Sequence, residues 1–223
     1  MDKTKLWHIN ANKIFSNLSE KNKSEIASKS TGHSVRKKDF VYSAGDKAGT
    51  VYMLKEGRIR IMRYSEDGRE LTIDILEPGD IFGELSMTGE QERETNAVAM
   101  EDSLICAIKR RDFEDFIGKM PELSLSITKW MGIRLRRIEN RLGAMVFQDV
   151  RTRLIVLLRD LSQRHGAPAD NGRRIELLLS HKDIAALIGA SRETVTLELN
   201  NLKRSNDVLM DGRYFIIPPK HLS

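Results

Sequence analysis

The chain has 223 residues, of which 40% are hydrophobic and 31% are charged, and it carries a formal net charge of +5. This length suits two domains that each bury a core, and the lack of a long apolar run argues against a membrane-spanning protein. The basic charge is compatible with a polyanionic partner, although many basic proteins bind none.

The amino-terminal sequence and the cysteine content indicate the compartment. The residues from Met1 to Trp7 lack the apolar segment of a secretory signal, so we expect a cytoplasmic protein. Cys106 is the single cysteine, and it lies in the alternating apolar run from Ser103 to Ile108. This setting predicts a buried strand residue rather than a reactive thiol.

Residues 34–108 carry short apolar segments, many of which alternate with polar residues. Glycines at positions 45, 57, 68, 79 and 89 separate these segments at intervals of ten to twelve residues. This spacing is typical of strands joined by tight turns in an all-β sandwich or barrel. We therefore predict a roll of about eight strands, preceded by short helices around Ile14–Ala27.

From Arg111 onward the pattern becomes helical, with a break at Met120–Pro121 and an uninterrupted helical stretch to about Arg164. Residues 121–147 of this stretch contain an apolar stripe with the spacing of coiled-coil a and d positions. Its members are Met131, Leu135, Ile138, Leu142 and Met145. The stripe either packs onto its own domain or pairs with a second copy of the chain. Self-association is favoured, because charged neighbours leave only a narrow apolar seam.

A loop rich in Gly, Pro and Asn over 165–172 precedes a smaller carboxy-terminal domain. There Ser180 and Asp183 predict a capping box at the start of a short helix that ends at Ile188. Gly189 permits a tight turn, and Ser191 is placed to cap a second helix over 192–202. We expect the two helices to cross on an apolar contact formed by Ala185, Ile188, Val195 and Leu199.

The second helix has the properties of a DNA recognition helix. Arg192, Glu193 and Thr196 would project from its first turns, as polar side chains do when a helix enters the major groove. Two apolar segments, 208–210 and 213–217, flank Asp211–Gly212 and predict a hairpin that forms a wing. The signal is only moderately specific, because a helix, a glycine and a second helix also occur in proteins that bind no DNA.

Three motifs together resemble the Crp/Fnr regulators: residues 189–195 (GASRETV), residues 79–85 (GDIFGEL) and residues 147–151 (FQDVR). They match the recognition motif, the nucleotide-pocket strand and turn, and the end of the dimer helix of that family. The resemblance implies an α+β fold with an amino-terminal cyclic-nucleotide-binding-like β-roll (a jelly roll) over 1–120, a dimerisation helix over 121–147 and a winged helix-turn-helix over 148–223. It further implies a homodimer that binds double-stranded DNA and acts on RNA polymerase.

The resemblance also assigns roles in DNA binding. Arg192 would donate to guanine and Glu193 would accept from a cytosine amino group, whereas other contacts would position the protein on phosphates. The expected DNA-binding set is Ser180, His181, Lys182, Ser191, Arg192, Glu193, Thr196 and Lys203. Leu197 departs from the family pattern, because it stands where the family usually has a second base-reading arginine.

The effector pocket matches the family less well. Glu84 stands at the ribose position of the cyclic-AMP-binding members, and Thr95 stands at a phosphate position. An ungapped comparison places Glu94 where those members have the phosphate-binding arginine, and Arg93 lies one position earlier. A carboxylate there would repel phosphate, although a one-residue bulge would bring Arg93 into place. The pocket set is Gly83, Glu84, Leu85, Arg93, Thr95 and Ile138. We therefore expect no control by cyclic AMP, predict no cofactor, and leave open an unidentified ligand, a redox or haem signal, or no effector.

Three alternatives remain beside a regulator that is independent of cyclic AMP. The first is a regulator that responds to cyclic nucleotides through Arg93. The second is a cupin-like enzyme, which is disfavoured because residues 34–108 contain no histidine for a metal cluster. The third is an interaction module that has lost DNA binding. We predict no metal site, since His181 has no partner at ligand spacing.

Overall fold

In the described part of the amino-terminal half, a capped helix precedes the strands. The computed structural model describes residues 14–221. Ser19 caps helix α1 (Glu20–Lys29) because its hydroxyl accepts a hydrogen bond from the backbone N–H of Asn22. Within the described residues this half then forms eight strands: β1 (Ser30–Val35), β2 (Phe40–Tyr42), β3 (Thr50–Glu56), β4 (Ile59–Tyr64), β5 (Glu70–Leu76), β6 (Ile81–Phe82), β7 (Asn96–Ala99) and β8 (Ser103–Lys109).

The strands build two antiparallel sheets, with the orders β1-β8-β3-β6 and β2-β7-β4-β5. Side chains alternate between the faces of each strand, and the inward set forms an apolar cluster that includes Tyr42, Leu54, Ile61 and Phe82. Cys106 is fully buried on β8. The predicted β-roll and the predicted burial of Cys106 are therefore confirmed.

Two further helices follow the roll, α2 (Arg110–Lys119) and α3 (Pro121–Phe147). Proline is well suited to the first position of α3, because the missing N–H would have no partner there in any case. Phe113 and Phe116 of α2 and Leu123 of α3 join a second apolar cluster with residues of α1, β3 and β8. None of the helices between residues 14 and 221 combines the length and apolarity of a membrane span.

The chain divides into two compact units inside α3, one that ends at Arg136 and one that starts at Arg137. The bounds of α3 agree with the helix expected over 121–147, while the division into three domains stays a prediction. The uninterrupted helix to about Arg164 is wrong. A new helix, α4 (Val150–His165), starts after Asp149, whose carboxylate caps it by accepting from the backbone N–H of Thr152 at 2.8 Å.

The second unit combines helices with a small sheet. Its remaining elements are β9 (Gly166–Ala169), β10 (Gly172–Ile175), α5 (His181–Ile188), α6 (Arg192–Arg204), β11 (Leu209–Asp211) and β12 (Tyr214–Ile217). The sheet has the order β11-β12-β10-β9. The hairpin β11–β12 confirms the predicted wing strands, whereas the loop expected over 165–172 is largely strand. Gly172, the first residue of β10, permits the close approach of β10 to β12, because its φ is +139° and a Cβ atom there would lie 2.1 Å from the carbonyl oxygen of Ile217.

Candidate nucleic-acid interface and effector-type roll

Side-chain caps define the start of both α5 and α6. The Ser180 hydroxyl accepts from the N–H of Asp183, and the Asp183 carboxylate accepts from the N–H of Ser180 at 2.8 Å, so the predicted capping box is confirmed. Gly189 ends α5 in the left-handed conformation with φ +62°. The Ser191 hydroxyl then caps α6 by accepting from the N–H of Thr194 at 3.1 Å.

One face of α6 is buried and the opposite face is exposed. Val195, Leu199 and Leu202 are fully buried, and Ala185 and Ile188 of α5 are buried with them. This confirms the apolar contact expected between the two helices. The exposed residues of α6 are Arg192, Glu193, Leu197, Asn200 and Arg204. The packing therefore leaves the predicted base-reading side chains of Arg192 and Glu193 open to a partner.

His181 and Thr196 are joined in a way that the sequence did not reveal. The Thr196 hydroxyl donates to the carbonyl oxygen of Arg192 at 2.9 Å, so His181 Nδ1, which lies 2.7 Å from the same hydroxyl, must be the donor in their hydrogen bond. Burial lowers the pKa of His181, and the charges of Lys203 and Arg192 lower it further. Four residues of the expected DNA-binding set thus lie together: His181, Arg192, Thr196 and Lys203.

The remaining members of that set differ in their availability. Lys182 is exposed. Ser180 Oγ lies 2.6 Å from an Asp183 carboxylate oxygen, and Ser191 Oγ lies 2.9 Å from Thr194 Oγ1. Both serines therefore stabilise helix starts, and a phosphate contact from either hydroxyl would have to compete with these bonds.

Inside the roll, Arg93 rather than Glu94 faces inward. The Arg93 side chain is 2% exposed, and its guanidinium donates to the carbonyl oxygens of Gly83 at 2.9 Å and Thr50 at 2.5 Å. It also lies 3.4 Å from the Glu90 carboxylate and 4.6 Å from the centre of the Tyr42 ring. The ungapped placement of Glu94 at a phosphate site is therefore wrong.

The burial of residues 93–95 alternates along the chain. Arg93 and Thr95 are buried, whereas Glu94 is exposed and pairs with Arg63 at the surface. The Tyr42 hydroxyl lies 3.5 Å from Thr95 Oγ1, so aromatic and polar groups surround the inward pair.

Glu84 lies in an ion-paired cluster of the first unit. Arg134 Nη1 donates to Glu84 Oε1 at 2.9 Å, and Arg134 Nε lies 3.5 Å from Asp74 Oδ2. Trp130 packs against the same guanidinium and donates from Nε1 to Asp80 at 3.0 Å. The Glu84 carboxylate is thus already engaged.

Two members of the expected pocket set are exposed. The side chain of Leu85 is exposed, so the structure does not turn it into the roll. Ile138 belongs to the second unit, and its side chain is also exposed. Among residues 14–221, no group of three His, Cys, Asp or Glu side chains is arranged to hold a metal ion.

Most of the predicted seam on α3 is open. Met131, Leu135, Ile138 and Leu142 are between 41% and 61% exposed in the single chain. Met145 is more buried than these four residues: it is half-buried, and its Cε atom lies 3.7 Å from a Cβ atom built at Gly189. Met145 therefore packs within its own unit, beside the turn between α5 and α6, instead of continuing the exposed stripe.

Comparison with known proteins assigns both units. Residues 33–119 match the cyclic nucleotide-binding domain family, and residues 152–222 match the Crp-like helix-turn-helix domain family. A CRP-like cAMP-activated global transcriptional regulator of Mycobacterium tuberculosis is 31% identical over 177 residues, which are 79% of each chain. The chain belongs to the Crp/Fnr family of transcriptional regulators. The resemblance of the three sequence motifs is thereby confirmed.

Two further similar proteins complete the comparison. A global nitrogen regulator of Synechocystis is 33% identical over 168 residues, which are 74% of this chain and 75% of the relative. The solved structure of the c-di-GMP-responsive global regulator CLP of Xanthomonas campestris has a TM-score of 0.80 at 21% identity and covers 90% of this chain and 99% of the other. The family is one of transcription regulators with a helix-turn-helix, and the fold expected from the sequence is confirmed.

Proposed function

We propose that this Crp/Fnr regulator binds inverted-repeat operators as a homodimer and that DNA binding needs no cyclic nucleotide. The exposed polar face of α6 carries the proposal, because Arg192 and Glu193 project from a helix whose opposite face is fully buried. A two-fold dimer would present two such helices to successive major grooves, about 34 Å apart. Its cytoplasmic location and its action on RNA polymerase are part of the same proposal.

Within each half-site, α6 would read bases and the surrounding groups would hold phosphates. Arg192 suits the two acceptors of guanine, and Glu193 suits the amino donor of cytosine. Lys182 is an exposed cation at the start of α5, next to the capped helix end. The N–H groups and positive end of a helix dipole also favour a phosphate there. His181 would hold Thr196 in position through their hydrogen bond.

An unbiased selection of bound sequences from random double-stranded DNA tests this function. We expect the selected sequences to share an inverted repeat with half-site centres about one helical turn apart. The selection is performed without any nucleotide, with purified full-length protein. Recovery of no enriched sequence would contradict the proposal, and a direct repeat would contradict the two-fold dimer.

Independence from cyclic AMP is supported by the contacts that Arg93 already makes. Its guanidinium donates to two carbonyl oxygens and faces the Glu90 carboxylate. Hydrogen bonds to charged groups contribute roughly 1.5–3 kcal/mol each, so a phosphodiester would first have to displace contacts of comparable strength. Relatives of similar identity include a regulator named for cyclic AMP and one named for nitrogen. The likeness therefore does not assign cyclic AMP to this chain.

A cyclic-nucleotide-responsive regulator is the second candidate, because Arg93 and Thr95 are buried together in the roll. Calorimetric titration of the full-length protein with cyclic AMP separates the two. We expect no saturable heat and unchanged affinity for the selected operator. A dissociation constant below about 10 μM, together with tighter operator binding, would establish the second candidate instead.

A further inference from the structure

A cavity of about 200 Å³ lies in the second unit, apart from both the roll and the exposed face of α6. It is bounded by the carboxy-terminal part of α3, by α4 and by the last turn of α5. Its apolar lining includes Met145, Val156, Leu157, Leu187 and Ile188. Leu157, Leu187 and Ile188 are buried, whereas Val156 is exposed.

The charged lining of the cavity is strongly basic. Arg137 and Arg141 contribute from α3, and Arg153 and Arg159 contribute from α4. Asp160 is the acidic residue of the lining, and its carboxylate lies 3.5 Å from Arg164, which is not part of the lining. The acidic charge at the cavity is thus partly neutralised by an arginine outside it, and a positive excess remains.

Two arginines of this lining each have a donor without a hydrogen-bond partner among residues 14–221. The Nε atoms of Arg153 and Arg159 are both buried and unpaired. A buried N–H of a charged group is costly when it is left unsatisfied. A carboxylate in the cavity would be attracted by both guanidinium groups, because a guanidinium presents its donors as a planar fork that matches the two carboxylate oxygens.

We propose that the cavity is a binding site for a small carboxylate with an apolar body. Ligand sites are typically apolar concavities with a few placed polar groups, and pockets for drug-sized ligands measure roughly 300–1,000 Å³. The smaller volume here therefore fits a compact ligand, such as a short-chain or single-ring carboxylic acid. Its apolar body lies on Leu157, Leu187 and Ile188, and its carboxylate meets Arg153 and Arg159.

Calorimetric titration of the full-length protein with matched probes tests this site. The probes are octanoate and benzoate, their neutral amides, and inorganic phosphate. We expect at least one carboxylate to bind with one site per chain, and its amide and phosphate to bind at least about tenfold more weakly. The proposal is overturned if neither carboxylate gives saturable binding. It is also overturned if the amide or phosphate binds as tightly as the carboxylate.

Substitutions locate the site. We expect Arg153→Gln and Arg159→Gln each to weaken carboxylate binding about tenfold or more, and Arg159→Lys to weaken it as well, because lysine keeps the charge but lacks the forked donors. Arg111→Gln, at an exposed arginine of α2 in the other unit, is the matched control and should leave binding unchanged.

Thermal unfolding without ligand identifies any variant that fails to fold, and binding is compared among the folded ones. Unchanged binding in the folded cavity variants would overturn the assignment. An equal loss in Arg111→Gln would do so too, because it would indicate a general effect of protein charge.

Discussion

Individual side chains of α5 and α6 divide into those that would read bases and those that would contact the phosphate backbone of the DNA. We expect Arg192→Ala and Glu193→Ala each to lose about 1–3 kcal/mol of discrimination at one base pair of the half-site. Lys182→Ala should instead weaken binding to all sequences alike. It should also reduce the slope of log affinity against log salt concentration by the amount expected for about one phosphate contact. Competition binding against operators with every base at each position measures the difference. A uniform loss for Arg192→Ala would make it a phosphate contact.

Leu197 is a distinctive residue of the same exposed face. Glu193, Leu197 and Asn200 are spaced by four and three residues, so they lie along one side of α6. An exposed apolar side chain in a major groove suits the methyl group of thymine. We expect the selected operator to contain a thymine whose replacement by deoxyuracil weakens binding of the wild-type protein.

The matched experiment uses Leu197→Ala on both operators. The variant should lose affinity for the thymine operator and show little further loss on the uracil operator, because the methyl contact is already absent. Equal sensitivity of wild type and variant to the missing methyl group would contradict the contact. The existence of the selected operator, and with it the proposed function, would be unaffected by that result.

The residues also show what the sequence could not determine. Alternation along residues 93–95 places Arg93 and Thr95 on one side, but a comparison by motif position put Glu94 there instead. The position of a residue in a motif does not show the direction of its side chain. The hydrogen bond from Arg93 to the carbonyl oxygen of Thr50 and the pair Arg134–Glu84 join segments that are far apart in the sequence, so no local pattern contains them.

At the scale of elements, local signals were strongest where a cap and a periodic apolar face coincide. Ser180, Asp183, Gly189 and Ser191 define α5 and α6 almost to the residue. The hairpin β9–β10 was missed because its residues include Gly and Pro, which typically indicate a loop. Its strands are held by pairing with each other and with β12, a contact between distant parts of the sequence.

The turn after β6 offers a stability test at the element scale. Gly83 has φ +74°, and a Cβ atom there would lie 2.9 Å from the carbonyl oxygen of Thr50 and 3.1 Å from Arg93 Nη2. Gly83→Ala therefore adds a steric clash to the cost of a left-handed alanine, which is about 1–2 kcal/mol. Gly68→Ala is the control, because Gly68 has φ +79° and no atom within 4 Å of the added Cβ.

We expect both variants to lower the free energy of unfolding, and Gly83→Ala to lower it by at least about 1 kcal/mol more than Gly68→Ala. Urea unfolding followed by circular dichroism measures both values. Equal losses would mean that the turn moves away from Thr50 at no cost and that the contacts of Arg93 do not depend on it.

At the scale of the whole molecule, the exposed stripe of α3 is the feature that a second copy would cover. Leu135 and Leu142 are 57% and 61% exposed in the single chain. Removing such side chains from water contributes about 25 cal/mol per Å² of apolar surface, and a two-fold pairing of α3 helices would cover each stripe with its own counterpart. The single chain leaves this surface in water, so the stripe favours association.

Leu135→Asp tests the pairing and its link to DNA binding, because the pairing would bring like charges together in an apolar seam. We expect the wild type to be a dimer at micromolar concentration and the variant to be a monomer, as measured by light scattering. Leu125→Asp is the matched control and should remain a dimer, since Leu125 is equally exposed at 57% on the same helix but lies outside the stripe. The monomeric variant should bind the inverted repeat much more weakly. In a dimer, binding of one half-site holds the second α6 at high effective concentration near the other half-site, and a monomer lacks this advantage. Its affinity for a single half-site should be unchanged, since α6 lies in the other unit from residue 135. A wild type that is monomeric yet binds the full repeat tightly would refute the seam.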